Sequence, residues 1–409
     1  VNIILRLAWR NLWRYPRRTI LTTGAMAFSN VLLIFMISMQ IGTYGLMIDN
    51  TLEPLTGHFQ IQASGYKDDQ KMRQVVPDAI ELAALMRRGL QLQSISARGA
   101  AFVLASSQER SYGIQVLGVE PKFEPRVSNL PGLTKVGRYL DNPHAAEIVI
   151  GSVLARNLQI TTGDELTLLG SALDGSIAAG IVTVVGIFQS GVIELDRTIA
   201  EVPIAYFQQT FEMRGAAHTI VFNVGDYSST EQFMERAKAL LPVNSSLILQ
   251  DWNALQPGLK QAIQADMSSA AFMYAVLVVM VAFSVLNTQL MSVLERTREF
   301  GIVMALGLTP GRLGRLVVLE TTLMGLLGLV AGTSLGGILT AITMRAGIYV
   351  PGMDQMAAQF NLPPRMYPTL SLITLLAGPM IVFLFTLLAA VYPALRLRWL
   401  HPVEAMRAA

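Results

Sequence analysis

Residues 268–315, SSAAFMYAVLVVMVAFSVLNTQLMSVLERTREFGIVMALGLTPGRLGR, decide how the rest of the chain is read. From Ser268 to Leu294 there is no Asp, Glu, Lys or Arg. That run is long enough for a helix to cross the ~30 Å hydrocarbon core, which needs about 20 apolar residues. The charges then arrive together, Glu295, Arg296, Arg298 and Glu299, and Gly307 and Pro310 stop the short helix they begin. Three further runs of the same kind lie at 19–48, 316–345 and 370–395, so the pattern predicts four transmembrane helices with 267–294 as the second. The first and third exceed the length of a crossing and are expected to tilt or to project past the bilayer. Gly328, Gly332 and Gly336 form one small face on the third, where backbones can approach closely. Glu320 lies near the start expected for that span and is expected to reach the interface.

Arginine placement sets the expected orientation. Arg6, Arg10, Arg14, Arg17 and Arg18 precede the first span, Arg296, Arg298, Arg312 and Arg315 lie between the second and third, and Arg396, Arg398 and Arg407 follow the fourth. Only Arg345 and Arg365 flank the short loop 346–369. Both termini and the loop 295–315 are therefore expected in the cytoplasm, with residues 49–266 outside. The first apolar run exceeds the ~7–15 residues of a signal-peptide core and no small-x-small site follows it, so it is read as a retained anchor. Ahead of it, Ile3, Ile4, Leu7, Ala8 and Leu12 recur at helical spacing against Arg6, Arg10 and Arg14, which predicts an amphipathic helix within 1–18, ended at Pro16.

Composition agrees with two environments in one chain. Mean hydropathy is +0.46 and only 14% of residues are charged, far from a soluble average. The net charge of +3 lies beside apolar runs and forms no stripe interleaved with aromatics, which argues against nucleic acid. The chain has no cysteine, which excludes thiol chemistry and Cys-ligated metals.

Residues 49–266 read as an α+β domain. Strands are expected at 58–63, 95–104, 112–119, 147–150, 165–169, 181–187, 218–224 and 247–250, and helices at 78–88, 153–158, 204–213, 230–241 and 252–264. The stretch 121–214 is richer in Gly, Pro and short strands and is expected to be an inserted subdomain. His58, His144 and His218 lack metal-ligand spacing, and neither G-x-S-x-G nor H-E-x-x-H occurs, so no catalytic residue and no metal site are assigned. Gly163 and Asp164 read as a turn into a strand.

The charged loop resembles the E-R-x-R-E-I-G-x-x-x-A-L-G segment of the MacB, FtsX and LolC/LolE permeases, with Phe300 in place of the usual Ile. Leu7-Ala8-Trp9-Arg10-Asn11-Leu12 with Arg17-Arg18-Thr19 resembles that family's N-terminal elbow. Tyr392-Pro393-Ala394 and His401-Pro402-Val403-Glu404-Ala405-Met406-Arg407 resemble its C-terminal motifs, with His401 in place of Asp. Ile150 to Ala155, Gly163-Asp164 and Gly186 to Gly191 with Glu194 and Asp196 resemble the LolC/LolE branch.

That resemblance implies a permease of the bacterial inner membrane, multi-pass, with its large domain periplasmic. No G-x-x-x-x-G-K-[ST] occurs, so ATP and Mg are expected on two copies of a separate ATPase and no cofactor on this chain. The family's ATPase-coupling helix falls on Glu295, Arg296, Thr297, Arg298, Glu299, Phe300 and Gly301, with Arg296 and Arg298 as polar anchors for docking. A second permease subunit, the same chain or a paralogue, would complete a cleft walled by Met36, Met39, Met47, Phe272, Met273, Met280 and Phe283, residues equally suited to bulk lipid. The resemblance implies mechanotransmission, with lipoprotein extraction toward a periplasmic carrier or adaptor as the first reading. MacB-like efflux of peptides or drugs and FtsX-like signalling to a cell-wall hydrolase are the alternatives.

Overall fold

The computed structural model describes residues 2–108, 110–225, 229–242, 245–349, 351 and 365–397. In chain order the first elements are α1 (Asn2–Arg14), α2 (Pro16–Thr51), β1 (Phe59–Ala63), α3 (Ala79–Leu90), β2 (Ile95–Ser106) and β3 (Ser111–Val119). Next come α4 (Glu124–Val127), β4 (Thr134–Gly137), β5 (Glu147–Gly151), α5 (Ser152–Leu158), β6 (Glu165–Ser171), β7 (Ile177–Phe188), α6 (Ile193–Thr198), β8 (Ile199–Pro203) and α7 (Ile204–Thr210). Then follow β9 (Thr219–Phe222), α8 (Thr230–Lys238), β10 (Leu247–Asp251), α9 (Trp252–Leu255), α10 (Pro257–Glu295), α11 (Thr297–Ala305), α12 (Pro310–Ala346), the short pair β11 (Ile348–Tyr349) and β12 (Arg365–Met366), and α13 (Leu372–Arg396). They divide into a helical unit from the two ends of the chain and an α+β unit spanning Gly45–Ala262.

Four helices, α2, α10, α12 and α13, are long and apolar enough to cross a membrane. Pro16 begins α2 and Pro257 begins α10, because proline fits the first turn of a helix but removes a hydrogen bond inside one. The expected helix 252–264 is accordingly split at Gln256, and its second part runs unbroken into the second span. Nothing in Ala265-Asp266-Met267 ends it, and the 39 residues of α10 extend about 58 Å, nearly twice the hydrocarbon core. The third span begins at Pro310, two turns before the expected 316.

The small face of α12 packs as its spacing predicts. Gly328, Gly332 and Gly336 lie against Met26, Asn30 and Ile34 of α2, so two rows at i, i+4, i+8 meet along one seam. A Cβ on Gly332 would collide with that of Asn30, and Asn30 Nδ2 donates to the Gly328 carbonyl at 3.2 Å. Gly378 of α13 meets Leu33 on the same helix. The C-terminal motif 401–407 and most of the loop 346–369 lie outside the described residues.

In the α+β unit, β10, β1, β9 and the first half of β2 form an antiparallel sheet covered by α3 and α8. Phe59 and Phe222 stand opposite each other in register and stack at 4.2 Å. The second half of β2 belongs to a different object. Pairings β2–β3, β3–β8, β8–β5, β5–β7, β7–β6 and β6–β2 close a six-stranded barrel, parallel only at β3–β8 and β5–β7. Its interior holds Ala101, Val103, Val116, Leu166, Val182 and Val202, with Phe207 of α7 and Phe211 just after it packed against them. The segment 121–214 is thus not a self-contained insertion: β2 and β3 supply two staves, and β2 serves both cores. Strand β8, Ile-Ala-Glu-Val-Pro, was not expected, because Glu201 interrupts its apolar run; all five of its residues are buried.

Candidate functional site

The charged loop following α10 is held inside a network at the elbow end of the bundle, where α1, α2, α10, α11 and α12 meet. Arg296 caps the start of α11 and is only 7% exposed. Its Nη1 donates to both oxygens of Glu320 at 3.2 Å, and its guanidinium lies over the Phe300 ring, 5.0 Å from the centroid. Glu320 is 3% exposed and also accepts from Asn11 Nδ2 at 2.5 Å. These positions correct two expectations. Glu320 is not an exposed carboxylate at the helix start: α12 begins at Pro310, and the Glu320 side chain is buried within the bundle. Arg296, expected as an exposed polar anchor, is instead buried in this chain; a buried carboxylate needs a counter-charge, and Arg296 supplies it.

The remaining residues of the loop separate into two faces. Phe300 and Gly301 are buried, Phe300 in a cluster with Val293, Met304, Leu313, Val317 and Leu397. Thr297 Oγ1 donates back to the Val293 carbonyl at 3.0 Å. Glu299 takes a bidentate contact from Arg14 of α1, at 2.9 and 3.3 Å, and Glu295 lies 3.8 Å from Arg18. Outward stand Arg298, Ile302 and Leu306, the last 81% exposed, at i, i+4 and i+8. Among the described residues no carboxylate pairs with Arg298. The outcome is a helix fixed on one side by burial and ion pairs and presenting one cation with an apolar stripe on the other.

The expected cleft residues fall on two helices. Phe272, Met280 and Phe283 project from α10, 74%, 68% and 64% exposed, in one row with Val276; Met273 is also exposed. Met36 and Met39 of α2 are half-buried and Met47 is exposed. Besides an apolar contact of Leu33 with Val278, α2 and α10 share a polar link that sequence reasoning missed. Asp266 Oδ2 accepts from Tyr44 Oη at 2.6 Å and Gln40 Nε2 at 3.1 Å, and Tyr274 Oη donates to Gln40 Oε1 at 2.9 Å. An Asp at the edge of an apolar run, with Tyr and Gln at matching depth on another span, was the available signal.

The α+β unit carries a second buried charge cluster. Arg98, 4% exposed, pairs with Glu124, which also accepts from Ser96 Oγ at 2.8 Å. Arg87 pairs with Glu120 at 2.9 Å, and Tyr139 Oη donates to Glu201 at 2.7 Å. Burial opposes the Arg98 charge, but the Glu124 carboxylate outweighs it and raises the guanidinium above its usual pKa. Burial and the nearby Glu124 push Glu201 up to about 7, and burial pushes the Tyr139 hydroxyl well above its ordinary range. His218 accepts from the Ala100 N–H at 2.9 Å through Nδ1, stacks on Tyr66 and is lowered to about 4 by burial. Among the described residues no group of three or more His, Cys, Asp or Glu is placed to hold a metal ion.

Comparison with known proteins finds likeness over nearly the whole length. LolC of Xylella fastidiosa, a lipoprotein-releasing system transmembrane protein, is 25% identical over 316 residues, 73% of this chain and 74% of that protein. LolE of Haemophilus influenzae, of the same system, is 23% identical over 88% of this chain and 83% of its own length. The periplasmic region of MacB from Actinobacillus actinomycetemcomitans superposes with a TM-score of 0.36 at 13% identity, covering 51% of this chain and 93% of that structure. The four apolar helices and these relatives make this an inner-membrane protein. The MacB-like periplasmic core domain matches residues 19–240, over half the chain, and the FtsX-like permease C-terminal domain matches 271–402; the chain belongs to the MacB/FtsX family of membrane permeases.

Proposed function

We propose that this chain is the membrane subunit of an ABC transporter that draws lipidated proteins out of the inner membrane and passes them to a periplasmic carrier. The relatives named for lipoprotein release support the cargo class. The observation that carries the mechanism is the two-faced helix α11. Its inner side is tied to α12 through Arg296 and Glu320, and its outer side offers Arg298, Ile302 and Leu306 to a separate ATPase. ATP and Mg are bound by two copies of that ATPase. Their closure presses on α11, and the ion pair passes the displacement to α12 and, through the glycine seam, to α2, a hinge-type transition. With the arginine-rich elbow end in the cytoplasm, the exported domain is periplasmic and moves with α2 and α10, whose length exceeds a crossing. The exposed row Phe272, Val276, Met280 and Phe283 provides a wall for acyl chains, completed by a second permease subunit.

The test is purification of the tagged chain in mild detergent, with mass spectrometry of co-purifying proteins and acylated species. An ATPase together with lipidated proteins released on ATP addition supports the reading. An ATPase with a channel protein or a hydrolase and no acylated cargo replaces it with efflux or signalling.

A further inference from the structure

At the elbow end, Arg14, Arg18 and Arg296 all have carboxylate partners within 4 Å, whereas among the described residues Arg312 and Arg315 have none. Both are exposed on the first turns of α12 and border an open groove of about 770 Å³ between α12 and α13, flanked by Ile4 of α1. The groove changes character along its length. Arg312 and Arg315 stand at the mouth, where Thr309 gives α12 no side-chain cap. Val318 and Leu319 from α12, with Val391 and Leu395 from α13, supply its apolar lining. Two cations and the positive end of a 37-residue helix dipole therefore adjoin an apolar channel on a membrane-spanning unit, with no acidic residue in the lining.

The geometry points to a binding site for one anionic phospholipid, its phosphate between Arg312 and Arg315 and an acyl chain along Val318, Leu319, Val391 and Leu395. Charge selects the headgroup: each basic side chain near a membrane surface favours an anionic lipid, and two of them favour it over a zwitterionic one by about thirtyfold. The bound lipid would brace the turn between α11 and α12, Thr309 to Arg312, from the side opposite the Arg296 to Glu320 pair. The inference rests on membrane insertion alone and not on the proposed cargo or ATPase.

The experiment reconstitutes the full chain in nanodiscs of phosphatidylcholine with and without phosphatidylglycerol, extracts it into detergent, and counts retained lipid by native mass spectrometry. One phosphatidylglycerol per chain is expected to persist. It should fall about thirtyfold in the R312Q/R315Q variant, with melting temperature unchanged. Val391→Trp, which fills the groove and leaves both arginines intact, should also release it, while inorganic phosphate should not. Equal retention of both lipids, or full retention by either variant, would overturn the site in favour of non-specific annular lipid. Increased retention on removal of residues 398–409 would overturn it in favour of the chain's own C-terminal segment as occupant.

Discussion

The bundle and the α+β domain each bury an arginine against glutamates, with opposite accounting. In the bundle one guanidinium, Arg296, meets one deep carboxylate, Glu320, and Asn11 takes up a further lone pair. In the domain one guanidinium, Arg98, stands among two, and only Glu124 is paired with it while Glu201 relies on Tyr139. A balanced pair leaves no buried carboxylate without a counter-charge. An unbalanced cluster retains a carboxylate whose charge depends on pH.

The largest expected effect comes from unbalancing the balanced site. Arg296→Met leaves Glu320 as an uncompensated buried charge and should cost about 3–5 kcal/mol. Replacing Arg296 and Glu320 together by Met should recover most of that loss. Thermal unfolding of the full chain in detergent checks both, read as a double-mutant cycle. If Arg296→Met alone is neutral, the pair is not buried as described and α11 is not fixed to α12.

The unbalanced site should respond to pH. Glu201 is raised above its ordinary 4.5 to about 7, so the fold prefers its protonated form. Its contribution is complete below about 4.5 and is lost as pH rises through about 7, by at most ~3.5 kcal/mol at ~1.4 kcal/mol per pKa unit. His218 runs the other way. Its pKa is depressed to about 4, so its contribution is present above 6.5 and is lost as pH falls toward 4. Hydrogen exchange of β8 and β5 peptides in the full chain, followed from pH 4.5 to 8 after correction for intrinsic rates, should show protection that falls with pH, a slope that Glu201→Gln flattens. A slope unaffected by that substitution would assign it to another group.

How much of this was legible follows from the same contrast. The spans, the elbow and the glycine seam were readable because apolar length and the i, i+4, i+8 spacing of Gly328, Gly332 and Gly336 are local properties. The buried ion pair was not, because Glu320 and Arg296 are 24 residues apart and their depth depends on where α12 begins. Nor was barrel closure, which needs β2 to change partners midway, from β9 at Ile95–Arg98 to β6 at Val103–Ser106. Strand β8 was hidden by Glu201, the residue that makes the domain's cluster unbalanced.

The smallest stability effects belong to the rim of the bundle's site, where function and stability separate. Arg14 and Glu299 form an ion pair with side chains 55% and 40% exposed, so Arg14→Gln should cost no more than about 1 kcal/mol. Arg298, exposed and without a carboxylate partner among the described residues, should cost less still when changed to Glu. Yet that reversal places a negative charge on the outward face of α11 and should sharply reduce retention of the ATPase on the tagged chain, and ATP hydrolysis with it. Arg14→Gln should leave retention nearly intact, since Arg14 acts on the inner side through Glu299. If both variants lose the ATPase equally, docking depends on how α11 is held and not on what it displays. If neither does, the outward face of α11 is not the docking surface, and the link through Arg296 and Glu320 transmits no stroke from it.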